Sequence, residues 1–172
     1  ATTAGTLRFG GAFTLDAARG VALGAGGGVI DTNGNTVTVA SAVTGGGLTK
    51  IGAGNLILTG TSTFTGPALV NAGILSVNGT MASGVTVNAG GTLGGTGTVG
   101  TTTVALGGTI APGNSIGTLH VNGNLTLASG SITAIELSPS AADQIAVSGT
   151  AALGGTLAFA QGAGSYGAGS DF

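Results

Sequence analysis

The residue types best suited to chemistry lie in the second half of the chain. Gly113-Asn114-Ser115-Ile116-Gly117 spells the Gly-x-Ser-x-Gly pattern of a nucleophile elbow, His120 is the single histidine, and Asp143 lies further on. A hydroxyl nucleophile, a base and an orienting acid are the parts of an acyl-transfer site. The surroundings argue against it. An elbow sits on a strand–turn–helix in the chain order Ser, acid, His, whereas here the flanks are strand-like and His120 precedes Asp143. Five residues of extended chain also carry His120 on the order of 15 Å from Ser115, out of hydrogen-bond reach unless the chain folds back. A corner turn is expected at this motif, and no catalytic residue is assigned.

Other patterns weaken in the same way. Gly95-Thr96-Gly97-Thr98-Val99-Gly100 has the letters of a dinucleotide fingerprint, but no helix follows it and no acidic residue stands at the required distance. A Gly/Thr turn is expected there, with no cofactor. Gly167-Ala168-Gly169-Ser170-Asp171-Phe172 resembles one truncated nonapeptide of a calcium-binding β-roll, and a single copy cannot make that site. Asp31, Glu136 and Asp143 are too scattered to imply a carboxylate pair, and cysteine is absent, so thiolate sites and disulfides are excluded. No metal ligand is assigned. Thr36-Val37-Thr38, Thr96-Gly97-Thr98 and Thr101-Thr102-Thr103 raise the idea of an ice-binding threonine array, but their spacing follows no common repeat, and threonine is a good residue for a solvated strand face. The sequons Asn78-Gly79-Thr80 and Asn124-Leu125-Thr126 carry little meaning in a chain of bacterial character.

What must position all these residues is a repeat. Val70, Val87, Val104 and Val121 stand 17 residues apart. In step with them, Leu93, Ile110 and Leu127 line up, as do Val99 with Ile116 and Gly100 with Gly117. Such self-similarity marks a solenoid. Short Val/Leu/Ile/Thr runs such as Thr36-Val37-Thr38-Val39, Leu56-Ile57-Leu58 and Leu125-Thr126-Leu127 are strands rather than helices. Glycine then marks the corners, because it alone takes positive φ freely. A coil of about 17 to 22 residues holds roughly three strands, and parallel stacking places each coil about 4.8 Å from the next. The expected fold is all-β: a parallel β-helix (β-solenoid) of about eight to ten coils, roughly 40 to 50 Å long. Asn71, Asn88 and Asn122 share one coil position, interrupted by Ala105, where stacked amides would bond along the rod. Phe9, Phe13, Phe159, Tyr166 and Phe172 lie towards the two ends, where open sheet edges need cover.

Composition agrees with a packed rod. There are 38 glycines in 172 residues, yet 42% of the chain is hydrophobic and 5% charged, the reverse of a disordered balance. No charge run or proline tract divides it, so residues 1–172 are expected to form one continuous segment. Three basic and five acidic residues leave no patch to neutralise a row of phosphates, which excludes nucleic-acid partners. Apolar runs fall far short of the ~20 residues of a membrane helix. No basic region followed by an apolar one opens the chain. The chain is thus expected either to stay where it is made or to be cut from a longer precursor.

Two stretches carry a family resemblance. Gly46-Gly47-Leu48-Thr49-Lys50-Ile51-Gly52-Ala53-Gly54-Asn55-Leu56-Ile57-Leu58-Thr59-Gly60, followed by Thr63-Phe64-Thr65-Gly66 and Val70-Asn71-Ala72-Gly73-Ile74-Leu75, resembles the passenger-associated transport repeat of Gram-negative autotransporters. Ile110-Ala111-Pro112-Gly113-Asn114-Ser115-Ile116-Gly117-Thr118-Leu119, leading into Val121-Asn122-Gly123-Asn124-Leu125-Thr126-Leu127, looks like the segment downstream of it, and Ile30-Asp31-Thr32-Asn33-Gly34 also fits. The resemblance covers roughly residues 28 to 160. It implies a right-handed parallel β-helix forming the stem of a passenger that type V secretion delivers to the surface of a Gram-negative bacterium. Its implied partners are the passenger's own C-terminal outer-membrane β-barrel and the outer-membrane assembly machinery. The expected function is a structural stem that spaces a distal region from the membrane and promotes folding and secretion, with no enzymatic activity. The alternative is an adhesin-type binding module contacting host or bacterial surfaces.

Overall fold

The computed structural model describes residues 3–162 and contains no helix there. Three-strand coils follow one another along the chain. The first two are β1 (Gly5–Arg8), β2 (Phe13–Leu15), β3 (Val21–Leu23) and β4 (Gly28–Asp31), β5 (Thr36–Val39), β6 (Val43–Gly45). Coils 3 and 4 are β7 (Leu48–Ile51), β8 (Asn55–Leu58), β9 (Thr61–Ser62) and β10 (Ala68–Val70), β11 (Gly73–Val77), β12 (Thr80–Met81). Coils 5 and 6 are β13 (Val85–Val87), β14 (Gly91–Gly95), β15 (Thr98–Val99) and β16 (Thr102–Val104), β17 (Thr109–Pro112), β18 (Thr118–Val121). Coil 7 is β19 (Leu125–Leu127), β20 (Ile132–Leu137), β21 (Gln144–Val147), and coil 8 supplies β22 (Ala151–Ala152) and β23 (Thr156–Gln161).

Like strands stack. Sheet 1 runs β1-β4-β7-β10-β13-β16-β19-β22 and sheet 2 runs β2-β5-β8-β11-β14-β17-β20-β23, eight strands each. The third face holds β9-β12-β15-β18-β21, with β3-β6 continuing it below through Thr63 N to Val43 O and Thr65 N to Gly45 O bonds. Every strand pairing is parallel, so the described residues form a β-solenoid of eight coils, roughly 35 Å from first rung to last at about 4.8 Å per rung.

The two-residue side-chain period sends alternate residues inward, and stacking turns them into ladders. Sheet 1 contributes Val70, Val87 and Val104, sheet 2 contributes Val37, Leu56, Leu75, Leu93 and Ile110, and sheet 3 contributes Met81, Val99 and Val121, all buried. Seventeen residues separate Val70 from Val87 and Val87 from Val104, so coils 4 and 5 are little more than their three strands and their corners.

The 17-residue register fails at the fourth valine. Val104 pairs with Leu127, whereas Val121 lies in sheet 3 between Val99 and Val147. Ile110 likewise meets Thr133, not Leu127, and Val99 meets Val121, not Ile116. The cause is a loop over residues 113–117 that lengthens coil 6: Leu93 stands 6 residues before Val99, but their partners Ile110 and Val121 stand 11 apart. Gly113 opens that loop at φ +82°, where an added Cβ would strike the Ser115 carbonyl.

The terminal rungs are less covered. Phe13 is 49% and Phe159 60% exposed, and the Phe9 and Phe13 rings stack at 5.9 Å on coil 1. Tyr166, Phe172 and the Gly167–Phe172 motif lie outside the described residues.

Candidate functional site

The densest polar construction occupies the corner between sheets 1 and 2. Along β7 the alternation that buries Leu48 also turns Lys50 inward, into the column between Ile30 and Val70, and its side chain is fully buried. The ammonium is met by backbone: Lys50 Nζ donates to the carbonyls of Ile51 (3.0 Å) and Gly52 (2.7 Å) in its own coil and Ala72 (3.0 Å) in the next. Loss of water pushes the Lys50 amine down to about 8, and the negative charge of Asp31 opposes that pull. Gly73 closes the cage at φ +66°, since a Cβ there would lie 2.9 Å from Nζ and 2.5 Å from the Gly54 carbonyl.

Polar links run along the same corner from coil 1 to coil 5. Arg8 approaches Asp31 (3.4 Å) and donates to Asn33 Oδ1 (2.6 Å), while Asp31 Oδ1 accepts from the backbone N–H of Asn33 (2.8 Å). Asn33 and Asn35 both donate to the Phe9 carbonyl. Thr32, fully buried, donates to the Ala53 carbonyl (2.7 Å). Asn88 Nδ2 donates to Asn71 Oδ1 (2.7 Å), the expected stacked amides, whereas Asn122 falls at another corner and accepts from Ser148. This corner clasps coils together; every Lys50 proton donor is directed at a main-chain oxygen.

The Ser115, His120 and Asp143 trio does not assemble. Ser115 is exposed on the loop beside sheet 2, while His120 projects from sheet 3 in register with Thr98 and Ala146 and lines a separate depression. Asp143 is buried and occupied: Oδ1 accepts from Gly117 N and Oδ2 from Glu136 N, each at 2.8 Å. It is a staple between the loop and β20. Gly95–Gly100 spans the end of β14 and all of β15, with no helix after it. No cluster of His, Cys, Asp and Glu able to hold a metal occurs among the described residues.

The threonine triplets separate onto three faces: Thr36 and Thr38 on sheet 2, Thr98 on sheet 3, and Thr103 on sheet 1. A shorter repeat, missed in the sequence, does exist, because Thr86, Thr103 and Thr126 stack as one outward column of sheet 1. It is a single column, with Leu69 and Ala152 as its next members.

A rod of stacked parallel coils closed by main-chain ladders and clasped at one corner belongs to the class of repeat-built β-solenoids. Residues 48–77, from the first residue of β7 to the last of β11, match the family model described as the passenger-associated-transport-repeat. The chain therefore carries an autotransporter passenger repeat, and the Lys50 cage lies inside it. No curated protein matches the chain.

Proposed function

We propose that this chain is a stem segment of a secreted autotransporter passenger, spacing a distal functional region from the outer membrane and promoting passenger folding and export. The observation that carries this reading is the coincidence of the passenger repeat with one complete coil and most of the next, the unit a solenoid adds when it grows. The physics of export supports it. No ATP is available outside, and coils that fold there keep the chain from sliding back, so folding free energy biases the motion. A first coil has no partner and is slow to form, whereas each later coil adds to an existing edge. With 5% charged residues, little charge has to be threaded. The stem does no chemistry itself; its partners are the passenger's own β-barrel and the outer-membrane assembly machinery, and its location is the surface of a Gram-negative bacterium.

The test is an immunoblot of the source organism with an antibody to this chain, comparing outer membrane, medium and cytoplasm. A product much larger than 15.8 kDa that surface protease cleaves or that is released to the medium is expected. A cytoplasmic band of the chain's own mass overturns the reading.

A further inference from the structure

The outer face of sheet 2 carries a groove that the stem role does not use. It has a volume of about 670 Å³ and is lined by residues of β8, β11, β14, β17, β20 and β23, so it follows the rod axis across six coils. Its floor is the register column Ile57, Ser76, Gly94 and Ala111, small except at its Ile57 end, with Ala134 of β20 beyond. One flank is Asn55, Ile74 and Thr92. The other is built by the loop that lengthens coil 6: Gly113 exchanges two backbone hydrogen bonds with Gly95 (2.9 and 3.0 Å), Asn114 Nδ2 donates to Asn78 Oδ1 (2.8 Å), and the Asp143 staple ties the loop to β20. The loop is thereby held over the sheet as a wall.

We propose that this groove binds an extended, neutral, β-1,4-linked glycan lying along the rod. The polar side chains lining it are amides, hydroxyls and two carboxylates: Asn55, Asn78, Asn114, Ser76, Thr92, Ser115, Glu136 and Asp143, the last with both oxygens already taken by backbone N–H groups. Asn55 Oδ1 is taken by Ser76 and Asn78 Oδ1 by Asn114 and Thr96, which leaves amide N–H donors, the Asn114 oxygen, two hydroxyls and the Glu136 carboxylate for a ligand. Such a set pairs with sugar hydroxyls, while Ile57 and Ile74 offer apolar surface to sugar C–H faces. None of the chain's three basic residues lines the groove and Glu136 does, so sulfated, phosphorylated and uronic-acid polymers are repelled. A peptide would add to a sheet edge, and sheet 2 has its edges only at the rod's two ends. The groove's own repeat is the rung spacing, about 4.8 Å, close to the rise per sugar of an extended β-1,4 chain, so each sugar spans about one rung and every second sugar turns the same face to the floor.

The experiment titrates the 172-residue chain with cellohexaose and chitohexaose by calorimetry, with heparin and polygalacturonate as acidic comparators. At least one neutral hexamer is expected to bind. Glu136→Gln and Asn114→Ala should each weaken binding about tenfold, the size of one strong hydrogen bond. Ala134→Phe should abolish it, and Thr126→Phe on sheet 1 should leave it unchanged, with thermal melts confirming folding. Should Ala134→Phe fail to fold, the exposed Asn114 and Glu136 variants still decide. No binding by either hexamer, tighter binding of an acidic polymer, or neutral binding indifferent to the groove variants overturns the proposal. Since binding is measured on purified chain, its failure leaves the stem reading untouched, and the converse holds.

Discussion

A lysine inside an aliphatic ladder is tolerated only because main-chain oxygens replace water around it. Lys50 keeps three such oxygens, and two of the three belong to its own coil while the third belongs to the next. Lys50→Met, similar in volume, leaves these carbonyls without their donor and should lower stability by about 1–3 kcal/mol in urea melts at pH 7. The ionisation has its own signature. The folded amine titrates near 8, below its ordinary 10.5, so between those values the unfolded chain binds more protons. Stability therefore rises as pH rises, by about 2 kcal/mol from pH 7 to 10, and that slope should vanish in Lys50→Met. A wild-type stability that falls over this range, in excess of any fall in the variant, would contradict the depressed amine. The burial was legible in principle, since the alternation that turns Leu48 inward turns Lys50 inward too. What the sequence could not show is the cage, because carbonyls of Ile51, Gly52 and Ala72 converge only after the corner has formed.

At the scale of strands, an inward side chain of a central coil has a register partner above and another below, so its loss is felt by two rungs. Val87 and Val104 are fully buried in sheet 1, and truncation of either to alanine should cost about 2–4 kcal/mol, whereas Ser115→Ala, on the exposed loop, should leave melting unchanged. Ser62 tests the opposite sign. Its hydroxyl is buried without a hydrogen-bond partner in the column of Met81 and Val99, so Ser62→Ala should be neutral or stabilising by up to about 1 kcal/mol. A loss beyond that would mean the hydroxyl is satisfied. Strand identity, parallel stacking and glycine corners were all legible from the short β-branched runs. Register was legible only where coil length stays constant, from Val70 to Val104. Beyond it, the residues added between Ile110 and Val121 keep an inward valine on the 17-residue count by moving it to another sheet. Inward valines of sheets 1 and 3 look alike in sequence, so period alone cannot say which face a residue joins. The same loop builds the groove wall, which is why the groove was invisible from the repeat.

For the whole rod, stability is set by contacts between adjacent coils, because no coil touches a distant one. A central coil has two interfaces, whereas a terminal one among the described residues has one. β1 is exposed throughout and so is β23, while β7, β10 and β13 bury their inward residues completely or nearly so. The polar clasp adds to this gradient, since it links coils 1 to 5 with its fully buried members Thr32 and Lys50 joining coils 2 to 4. Hydrogen exchange followed by mass spectrometry should therefore show slowest exchange in the peptides of coils 3 to 5 and faster exchange towards coils 1 and 8. Exchange of coil 7 should exceed that of coil 4, because coil 7 lies beyond the clasp and its β20 is only partly covered. Lys50→Met should speed exchange in coils 3 and 4 before it affects coil 6. Uniform protection along the rod, rising and falling together in wild type and variant, would mean that all coils open as one unit and that growth by successive addition, the basis of the export argument, is wrong.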